Sequence, residues 1–254
     1  MNRLCATALC LLTLTPIATA DEATERLVLA TYKLFNDSSV ATGFIIKKDE
    51  ASFVVTADHV LRGMKGQEML LVARRKNDNG SYRREDVPVP IRRDGKDLWI
   101  KHKKHDLAVL QLPDEIDEPG LPFEVLADDS GMKVGDELRA TTFPERFEAN
   151  GAGFPTLRGG FVASFPLGPH NVHPTFLIDM TSWGGDSGGP AILANSDSET
   201  PTIVGIVVGK HQITDSSKES RYVEKKTHYP LNISYAVHAS FARQMILDLT
   251  KDES

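Results

Sequence analysis

Short apolar runs separated by polar turns make up most of this 254-residue chain. In the first half these runs are rich in β-branched and aromatic residues, a composition typical of strands. They are, in order, RLVLATYKLF, ATGFIIKK, ASFVVTA, EMLLVARR, DVPVPI and HDLAVLQL. An Asn-Asp-Asn-Gly segment at 77–80 has the composition of a hairpin turn. The pattern predicts β-strands from Leu27 to about Leu112.

A second set of apolar runs begins near Val134, after the acidic, proline-containing connector LPDEIDEPGLP. These runs are ELRATTF, GGFVASF, TFLIDM, GPAILA, TIVGIVVG and ISYAV. Strands at this spacing, with no helices between them, favour a barrel or sandwich over βαβ units. We therefore predict an all-β protein with two β halves, residues 21–118 and residues 119–254.

The C-terminal segment has a different period. Val237, Phe241, Met245 and Leu249 recur every four residues, which is the spacing of one face of an α-helix. The segment therefore predicts a closing helix that packs on the β-structure.

The first twenty residues have the organisation of a secretory signal peptide. Arg3 precedes a short apolar run that ends at Leu14, and Ala18-Thr19-Ala20 precedes an acidic segment. The apolar run is too short to cross a bilayer as a helix. We predict cleavage after Ala20, no stable membrane anchor, and a secreted or periplasmic product.

Composition narrows the chemistry of the mature chain. Both cysteines, Cys5 and Cys10, lie in the predicted signal peptide, which excludes disulfides, thiolate catalysis and cysteine metal sites after cleavage. Loss of Arg3 takes the formal net charge from −6 to −7, which argues against nucleic-acid binding. His170 and His173 form an H-x-x-H pair without a third ligand. We therefore expect no metal and no cofactor.

The segment TSWGGDSGGP at 181–190 surrounds Ser187 with four glycines. It is either a Gly-rich surface turn or the backbone around a reactive serine. Acyl transfer by serine needs a base, a carboxylate that orients the base, and N–H donors for the developing oxyanion.

A base and a carboxylate are available at the ends of two predicted strands. His59 follows a strand in FVVTADHVL, and Asp106 begins one in HDLAVLQL. His105 and Asp58 are the alternatives to Asp106. Asp58 is disfavoured because side chains one residue apart on an extended segment face opposite sides.

The segments TADHV, HDLAVL and GDSGGP, in this order, resemble the chymotrypsin/trypsin-like serine protease family. The bacterial, disulfide-free branch that includes the HtrA-type proteases is the most similar, and the likeness extends from Leu27 to Leu249. The resemblance implies two six-stranded antiparallel β-barrels, a site in the cleft between them, and a C-terminal α-helix. Because the sequence stops just after the helix, no PDZ domain is expected.

The resemblance also implies a role for each candidate residue. Ser187 would be the nucleophile, His59 the general base and then acid, and Asp106 the group that orients His59. The backbone N–H groups of Gly185 and Ser187 would form the oxyanion hole. The substrates would be proteins or peptides.

A substrate pocket is implied in the same way. Thr181, six residues before the nucleophile, would lie at its base, and Val207, Val208 and Gly209 on the facing strand. These residues are uncharged, so we expect a preference for small to medium, uncharged side chains before the cleaved bond. His211 is an alternative determinant that would favour an acidic residue.

Asp186, just before the nucleophile, departs from the HtrA-like pattern, where Asn is common. In family members activated by cleavage, an Asp here pairs with a newly freed Ile or Val N-terminus. After the predicted cleavage this chain begins DEATERLVLA, which has no such start. We therefore expect no zymogen switch of that kind, with Asp186 pairing elsewhere or facing solvent.

The leading functional hypothesis is an exported serine endopeptidase. The alternative is a catalytically idle, protease-like binding module, although such a module has no chemical need for His59, Asp106 and Ser187 together. An ester hydrolase is a third hypothesis, because GDSGG matches the G-x-S-x-G pattern of α/β-hydrolases. Those enzymes, however, have the reverse order Ser, Asp, His and alternate strands with helices. The sequence does not indicate an oligomeric state.

Overall fold

Two antiparallel, barrel-like sheets and a C-terminal helix form the part of the chain that the structure describes. The structure is a computed structural model, and it describes residues 22–128, 131–194, 200–220 and 223–251. The prediction of an all-β fold with a closing helix is confirmed. The predicted signal peptide and its cleavage site lie outside the described residues.

The strands between residues 31 and 122 are β1 Thr31–Phe35, β2 Val40–Lys48, β3 Ala51–Thr56, β4 Glu68–Lys76, β5 Tyr82–Pro90, β6 Arg92–Arg93, β7 Lys96–Asp97, β8 Ile100–Lys101, β9 Ala108–Gln111 and β10 Leu121–Pro122. The first sheet has the strand order β5-β4-β1-β2-β3-β9-β8, with β10 added parallel to β2. Strands β6 and β7 form a separate two-stranded sheet. The first sheet thus has eight strands rather than six, because the two-residue strands β8 and β10 extend it.

The central strands of this sheet are buried on both faces. Phe44 and Ile46 belong to one core cluster and Ile45, between them, to another. Because successive side chains of a strand point to opposite faces, apolar residues are needed at every position of such a strand. This explains the unbroken apolar run in ATGFIIKK. The predicted hairpin turn joins β4 to β5, closed by a 2.8 Å hydrogen bond from the Asn77 N–H to the Ser81 carbonyl.

The second sheet has six strands, in the order β12-β11-β14-β15-β16-β13. The strands are β11 Glu137–Thr142, β12 Thr156–Phe161, β13 Thr175–Asp179, β14 Pro190–Leu193, β15 Ile203–Ser220 and β16 Val223–His238. Strands β15 and β16 pair far beyond the predicted TIVGIVVG and ISYAV runs. Their outer parts are mostly polar, so hydrophobic alternation gave no sign of them.

The prediction of a strand over RLVLATYKLF is wrong in its first half. Residues Glu22–Ala30 form helix α1, and only TYKLF is the strand β1. Ala23, Leu27 and Ala30 are buried, at spacings of four and three residues. These spacings place the three side chains on one helical face, and that face packs on the protein.

The closing helix, α3, spans Ala239–Lys251 and buries Ala242, Met245 and Ile246. These residues belong to a core cluster that also contains strand residues from both halves, such as Val55 and Ile206. Helix α3 therefore packs across both halves. Val237, which the helical pattern included, instead lies in β16.

The two halves also meet through buried polar contacts. The hydroxyls of Thr31 and Thr141 are 2.7 Å apart, and Lys33 Nζ lies 2.6 Å from Glu148 Oε1. These contacts and the shared core fix the cleft between the sheets. None of the helices in the described ranges has both the length and the apolar character needed to span a membrane.

Candidate active site

His59 lies on the short helix α2, Asp58–Gly63, which begins two residues after strand β3 ends. Val60 and Leu61 are buried in the first-half core and hold this helix in place. The His59 side chain faces outward, with 42% of its surface exposed. The ring is therefore fixed at its base but accessible to a substrate.

Asp106, two residues before β9, contacts His59 through both carboxylate oxygens. Its Oδ2 lies 2.6 Å from Nδ1 of the His59 ring, and its Oδ1 accepts a 2.9 Å hydrogen bond from the His59 backbone N–H. The carboxylate thus holds the ring and the start of helix α2 at once. The structure brings these two predicted residues together.

These contacts determine the charge and the tautomer of the pair. Burial would raise the pKa of Asp106, but the hydrogen bonds from the His59 ring and backbone outweigh it and hold that pKa below its usual value. The carboxylate is therefore ionised at neutral pH and can only accept hydrogen bonds. Nδ1 of His59 therefore donates to Asp106, which in the neutral ring leaves the lone pair on Nε2.

The two alternatives to Asp106 lie elsewhere. Asp58 is buried and accepts a 3.2 Å hydrogen bond from the Trp99 indole N–H. The His105 ring stacks on His102 and contacts Phe241 of α3, with ring centroids 4.5 Å apart in both cases. Both side chains have structural partners away from the His59 ring.

Ser187 lies in a tight turn that only glycine can form at two positions. Gly185 and Gly188 have φ of +100° and +93°, a backbone region that other residues rarely adopt. A Cβ at Gly185 would overlap the Phe143 carbonyl oxygen, and one at Gly188 would overlap the Thr42 carbonyl oxygen. The glycines around Ser187 therefore allow the turn to pack directly against neighbouring backbone, and the turn is not a free surface loop.

Two hydrogen bonds attach this turn to the first sheet, and a third joins the neighbouring strands β2 and β3. The Thr42 N–H donates to the Ser187 carbonyl at 3.0 Å, and the Thr42 hydroxyl donates to the Gly185 carbonyl at 2.7 Å. The Thr56 hydroxyl donates to the Thr42 carbonyl at 2.8 Å. Because Thr56 is three residues before His59, these contacts place the serine turn beside β3, the strand that precedes the helix of His59.

The Gly184–Gly185 peptide turns its N–H away from the backbone of Glu145. The Gly184 carbonyl accepts a 2.5 Å hydrogen bond from the Glu145 N–H. Because the C=O and N–H of one peptide point in opposite directions, the Gly185 N–H faces away from Glu145. Within the described ranges, neither the Gly185 nor the Ser187 N–H donates a hydrogen bond to another residue. Both donors are available to a ligand.

The predicted pocket residues Thr181 and Val207 lie near the same turn. The Thr181 hydroxyl and Asn232 Oδ1 are 2.7 Å apart, which places a side-chain amide of β16 beside Thr181. Val207 is fully buried, and its backbone pairs with the turn through 2.7 Å and 2.9 Å hydrogen bonds to Gly188 and Gly189. Its contribution is therefore to the backbone of the site rather than to the pocket surface.

The remaining pocket candidates lie further along β15. Val208 and Gly209 are partly buried, and Val208 packs against the core. His211 hydrogen-bonds through Nδ1 to the Tyr235 hydroxyl at 3.0 Å. That contact places the ring on the β15–β16 hairpin, against Tyr235.

Asp186 is completely buried and pairs with Arg158 of β12 at 2.6 Å. Of the two expectations for this residue, pairing elsewhere in the protein is the one observed. The same guanidinium also donates to the Thr181 carbonyl.

The H-x-x-H pair does not form a metal site. The His170 ring stacks on His238, with ring centroids 3.8 Å apart, and its Nδ1 hydrogen-bonds to the Ser240 hydroxyl. In the part of the chain that is described, no three His, Cys, Asp or Glu side chains are grouped to hold a metal ion.

Several residues of the site were not identified from the sequence. They are Thr42, Thr56, Arg158 and Asn232. Each lies on a strand far from Ser187 along the chain, and a lone threonine, arginine or asparagine in a strand carries no sequence signal. Thr42 and Thr56 lay inside the quoted segments ATGFIIKK and TADHV, but nothing in those segments distinguished the two threonines.

Comparisons with solved structures show the same fold. The HtrA-type protease AlgW, solved with a tripeptide, aligns with a TM-score of 0.58 and 17% identity. The alignment covers 92% of this chain but 64% of AlgW, so this chain spans less than two thirds of that protein. A variant of Rv3671c from M. tuberculosis, in an inactive form, aligns over 94% of this chain and 96% of its own, with a TM-score of 0.52 and 17% identity.

A third structure is the thermostable serine protease AL20 from an extremophilic microorganism. It aligns over 86% of this chain and 95% of its own, with a TM-score of 0.51 and 15% identity. No curated protein matches this chain by sequence. The family of trypsin-like peptidase domains matches residues 41–206, about two thirds of the chain. That match contains the helix of His59, the strand beside Asp106 and the turn of Ser187, and the chain therefore belongs to the trypsin-like peptidase family of serine-type hydrolases.

Proposed function

We propose that this chain is an exported serine endopeptidase in which Ser187 is the nucleophile, His59 the general base and Asp106 the residue that orients His59. The observation that carries the proposal is the two-point contact of Asp106 with His59, at 2.6 Å and 2.9 Å. A buried or purely structural histidine would not need its ring held by an ionised carboxylate while the ring stays accessible.

The proposed reaction begins with attack by Ser187. Nε2 of His59 accepts the hydroxyl proton of Ser187 while Oγ attacks the carbonyl carbon of a peptide bond. The electron pair of the C=O bond moves to oxygen, where the Gly185 and Ser187 N–H groups stabilise the negative charge. Each such donor is worth about 10²–10³ in rate in other enzymes.

The second half returns the enzyme to its starting state. The intermediate collapses, the C–N bond breaks, and His59 gives its proton to the leaving amine. A water molecule then attacks the acyl-enzyme ester and loses a proton to His59. The C–Oγ bond breaks, His59 returns that proton to Ser187 Oγ, and the carboxylic acid product leaves. Asp106 stays ionised throughout and stabilises the positively charged ring that forms in each half.

The proposed substrates are proteins or peptides with a small to medium, uncharged residue before the cleaved bond. Thr181 and Asn232 supply neutral polar groups at the pocket base, and no acidic side chain among those described contacts this pair. Export is proposed from the predicted signal peptide alone, with cleavage after Ala20 and release outside the cytoplasm.

The test is fluorophosphonate labelling of the protein purified after export, together with Ser187→Ala and His59→Ala. Turnover of casein is followed in parallel, and mass spectrometry of the N-terminus reports the site of signal cleavage. We expect labelling of the wild type, no labelling of Ser187→Ala, and strongly reduced labelling of His59→Ala. Casein cleavage would identify a peptidase, whereas labelling with hydrolysis of esters only would favour an ester hydrolase.

A folded wild-type protein that takes up no label would refute the proposed catalytic role. That result would favour the binding-module hypothesis, in which the cleft holds a peptide without cutting it. An N-terminus other than Asp21 would refute the predicted cleavage site but not the catalytic proposal.

A further inference from the structure

The ion pair between Arg158 and Asp186 lies directly beneath the serine turn. The Asp186 side chain has no exposed surface and that of Arg158 is 18% exposed, and Nη1 lies 2.6 Å from Oδ2. Asp186 stands between Gly185 and Ser187, the two residues whose N–H groups line the proposed oxyanion hole. The position of the Asp186 carboxylate therefore controls the peptide on each side.

The pair also fixes the segment that leads into the turn. Asp186 Oδ2 accepts a 2.7 Å hydrogen bond from the Trp183 N–H, and Arg158 donates through Nη2 to the Thr181 carbonyl. One guanidinium and one carboxylate thus bind the segment at 181, 183 and 186. The pocket base and the oxyanion turn are held by the same two side chains.

Asp186 depends strongly on this cation. Its other oxygen, Oδ1, is buried and has no hydrogen-bond partner among the described residues. An unpaired, buried carboxylate strongly destabilises the folded state. Without Arg158, the segment at 181–186 would therefore have to move until the Asp186 carboxylate reaches water. Arg158 lies in the middle of β12, where its residue pairs with Ala140 of β11, so the sheet fixes the backbone from which its side chain reaches Asp186.

We propose that Arg158 is a positioning residue that holds the oxyanion turn and the pocket base in their catalytic arrangement in the uncut chain. It supplies internally the positive charge that other members of the family obtain from a freed N-terminus. Activity therefore needs no cleavage beyond removal of the signal peptide. This inference rests on the proposed function of Ser187.

The test compares four variants of the exported protein: Arg158→Met, Asp186→Asn, the double variant, and the control Arg75→Met. Arg75 binds Glu118, whose side chain is 2% exposed, at 2.6 Å in the first sheet. The control therefore also leaves a buried carboxylate without its main cation, but away from the serine turn. Circular dichroism and chemical denaturation give the folded fraction of each protein, and fluorophosphonate labelling gives the rate per folded molecule.

We expect Arg158→Met to lower the labelling rate and kcat by at least the 10²–10³ that one oxyanion donor contributes, with a smaller change in KM. The double variant should label at least tenfold faster than Arg158→Met, because a neutral amide needs no cation in the buried site. Asp186→Asn alone should also label faster than Arg158→Met, since it leaves no buried carboxylate to expel. Arg75→Met should label at the wild-type rate per folded molecule, even if it is less stable.

Three results would overturn the inference while the wild type still labels. The first is a folded Arg158→Met that labels like the wild type. The second is a folded double variant with no recovery, which would show that Arg158 acts otherwise than by neutralising Asp186. The third is wild-type labelling that requires trimming to near Leu27. If Arg158→Met does not fold, the double variant decides. A wild type that does not label would instead refute the proposed function.

Discussion

Replacing Gly188 by alanine tests whether the serine turn is held rigidly against the first sheet. At φ +93° an alanine costs about 1–2 kcal/mol relative to glycine. Its Cβ would also lie closer than 3.0 Å to the Thr42 carbonyl oxygen and the Thr56 hydroxyl oxygen. Overpacking of this kind costs about 1–3 kcal/mol more. The expected loss in the free energy of unfolding is therefore about 2–5 kcal/mol, a large share of the roughly 5–15 kcal/mol of a typical domain.

Activity should fall further than stability alone explains. The overlap is with the Thr42 backbone, which cannot rotate away, so the turn must move and carry Ser187 with it. A displacement of about 1 Å at a reacting group costs on the order of 10² in rate. We expect Gly188→Ala to remain folded in mild conditions and to label with fluorophosphonate at least 10² more slowly than the wild type.

Alanine variants of two other glycines separate the backbone cost of a positive φ from the cost of steric overlap. Gly66 has φ +86° and no atom within 4 Å of an added Cβ, so Gly66→Ala has the backbone cost without the overlap. Gly184 has ordinary φ, and its added Cβ would meet only the flexible Glu145 carboxylate, at 3.0 Å. The assay is urea denaturation together with the labelling rate per folded molecule. A Gly188→Ala protein that loses no more stability than Gly66→Ala and labels like the wild type would refute the reasoning.

Three further predictions concern charge and specificity. Asp106→Asn should lower kcat by about 10⁴, as in the measured case of another serine protease, because an asparagine NH2 that donates to Nδ1 of His59 holds the ring in the wrong tautomer. Because His59 lowers the pKa of Asp106, their interaction stabilises the folded protein above about pH 4 and is lost at lower pH. In urea denaturation, the free energy of unfolding should therefore fall more steeply with acidification for the wild type than for Asp106→Asn. Burial and Lys104 lower the pKa of His105, so stability should fall as the pH drops below 6.5. His105→Gln should reduce the decrease in Tm between pH 7.5 and 5, and an equal decrease in both proteins would count against this account. Thr181→Asp should shift cleavage of a peptide library toward Lys and Arg, and an unchanged profile would place the pocket base elsewhere.

The strands and the candidate residues could be predicted from the sequence because both have local signatures. Apolar residues fill the central strands since both faces of the first sheet are buried, and Gly185 and Gly188 accompany Ser187 since the turn needs their backbone freedom. The C-terminal helix was predictable because one of its faces is buried. These features depend on neighbours within a few residues along the chain.

Elements that depend on distant partners were missed or misassigned. RLVLA contains strand-forming residues, but it forms the end of α1 because the helix can bury Leu27 in a core shared by both halves. The outer part of the β15–β16 hairpin pairs through its backbone, which any polar sequence can do. The secondary-structure propensity of the local sequence determines neither element, because the contacts that stabilise α1 and the outer hairpin come from residues elsewhere in the fold.

The sequence by itself determined the fold class, the motifs around Ser187, His59 and Asp106, and the family to which they belong. Only the tertiary structure decided which residues hold them in place. Thr42 hydrogen-bonds to the serine turn, and Arg158 forms an ion pair with Asp186. A hydrogen bond or ion pair between side chains far apart in sequence leaves no periodic or local trace. It exists only once the sheets have packed and excluded the water that would otherwise solvate both partners.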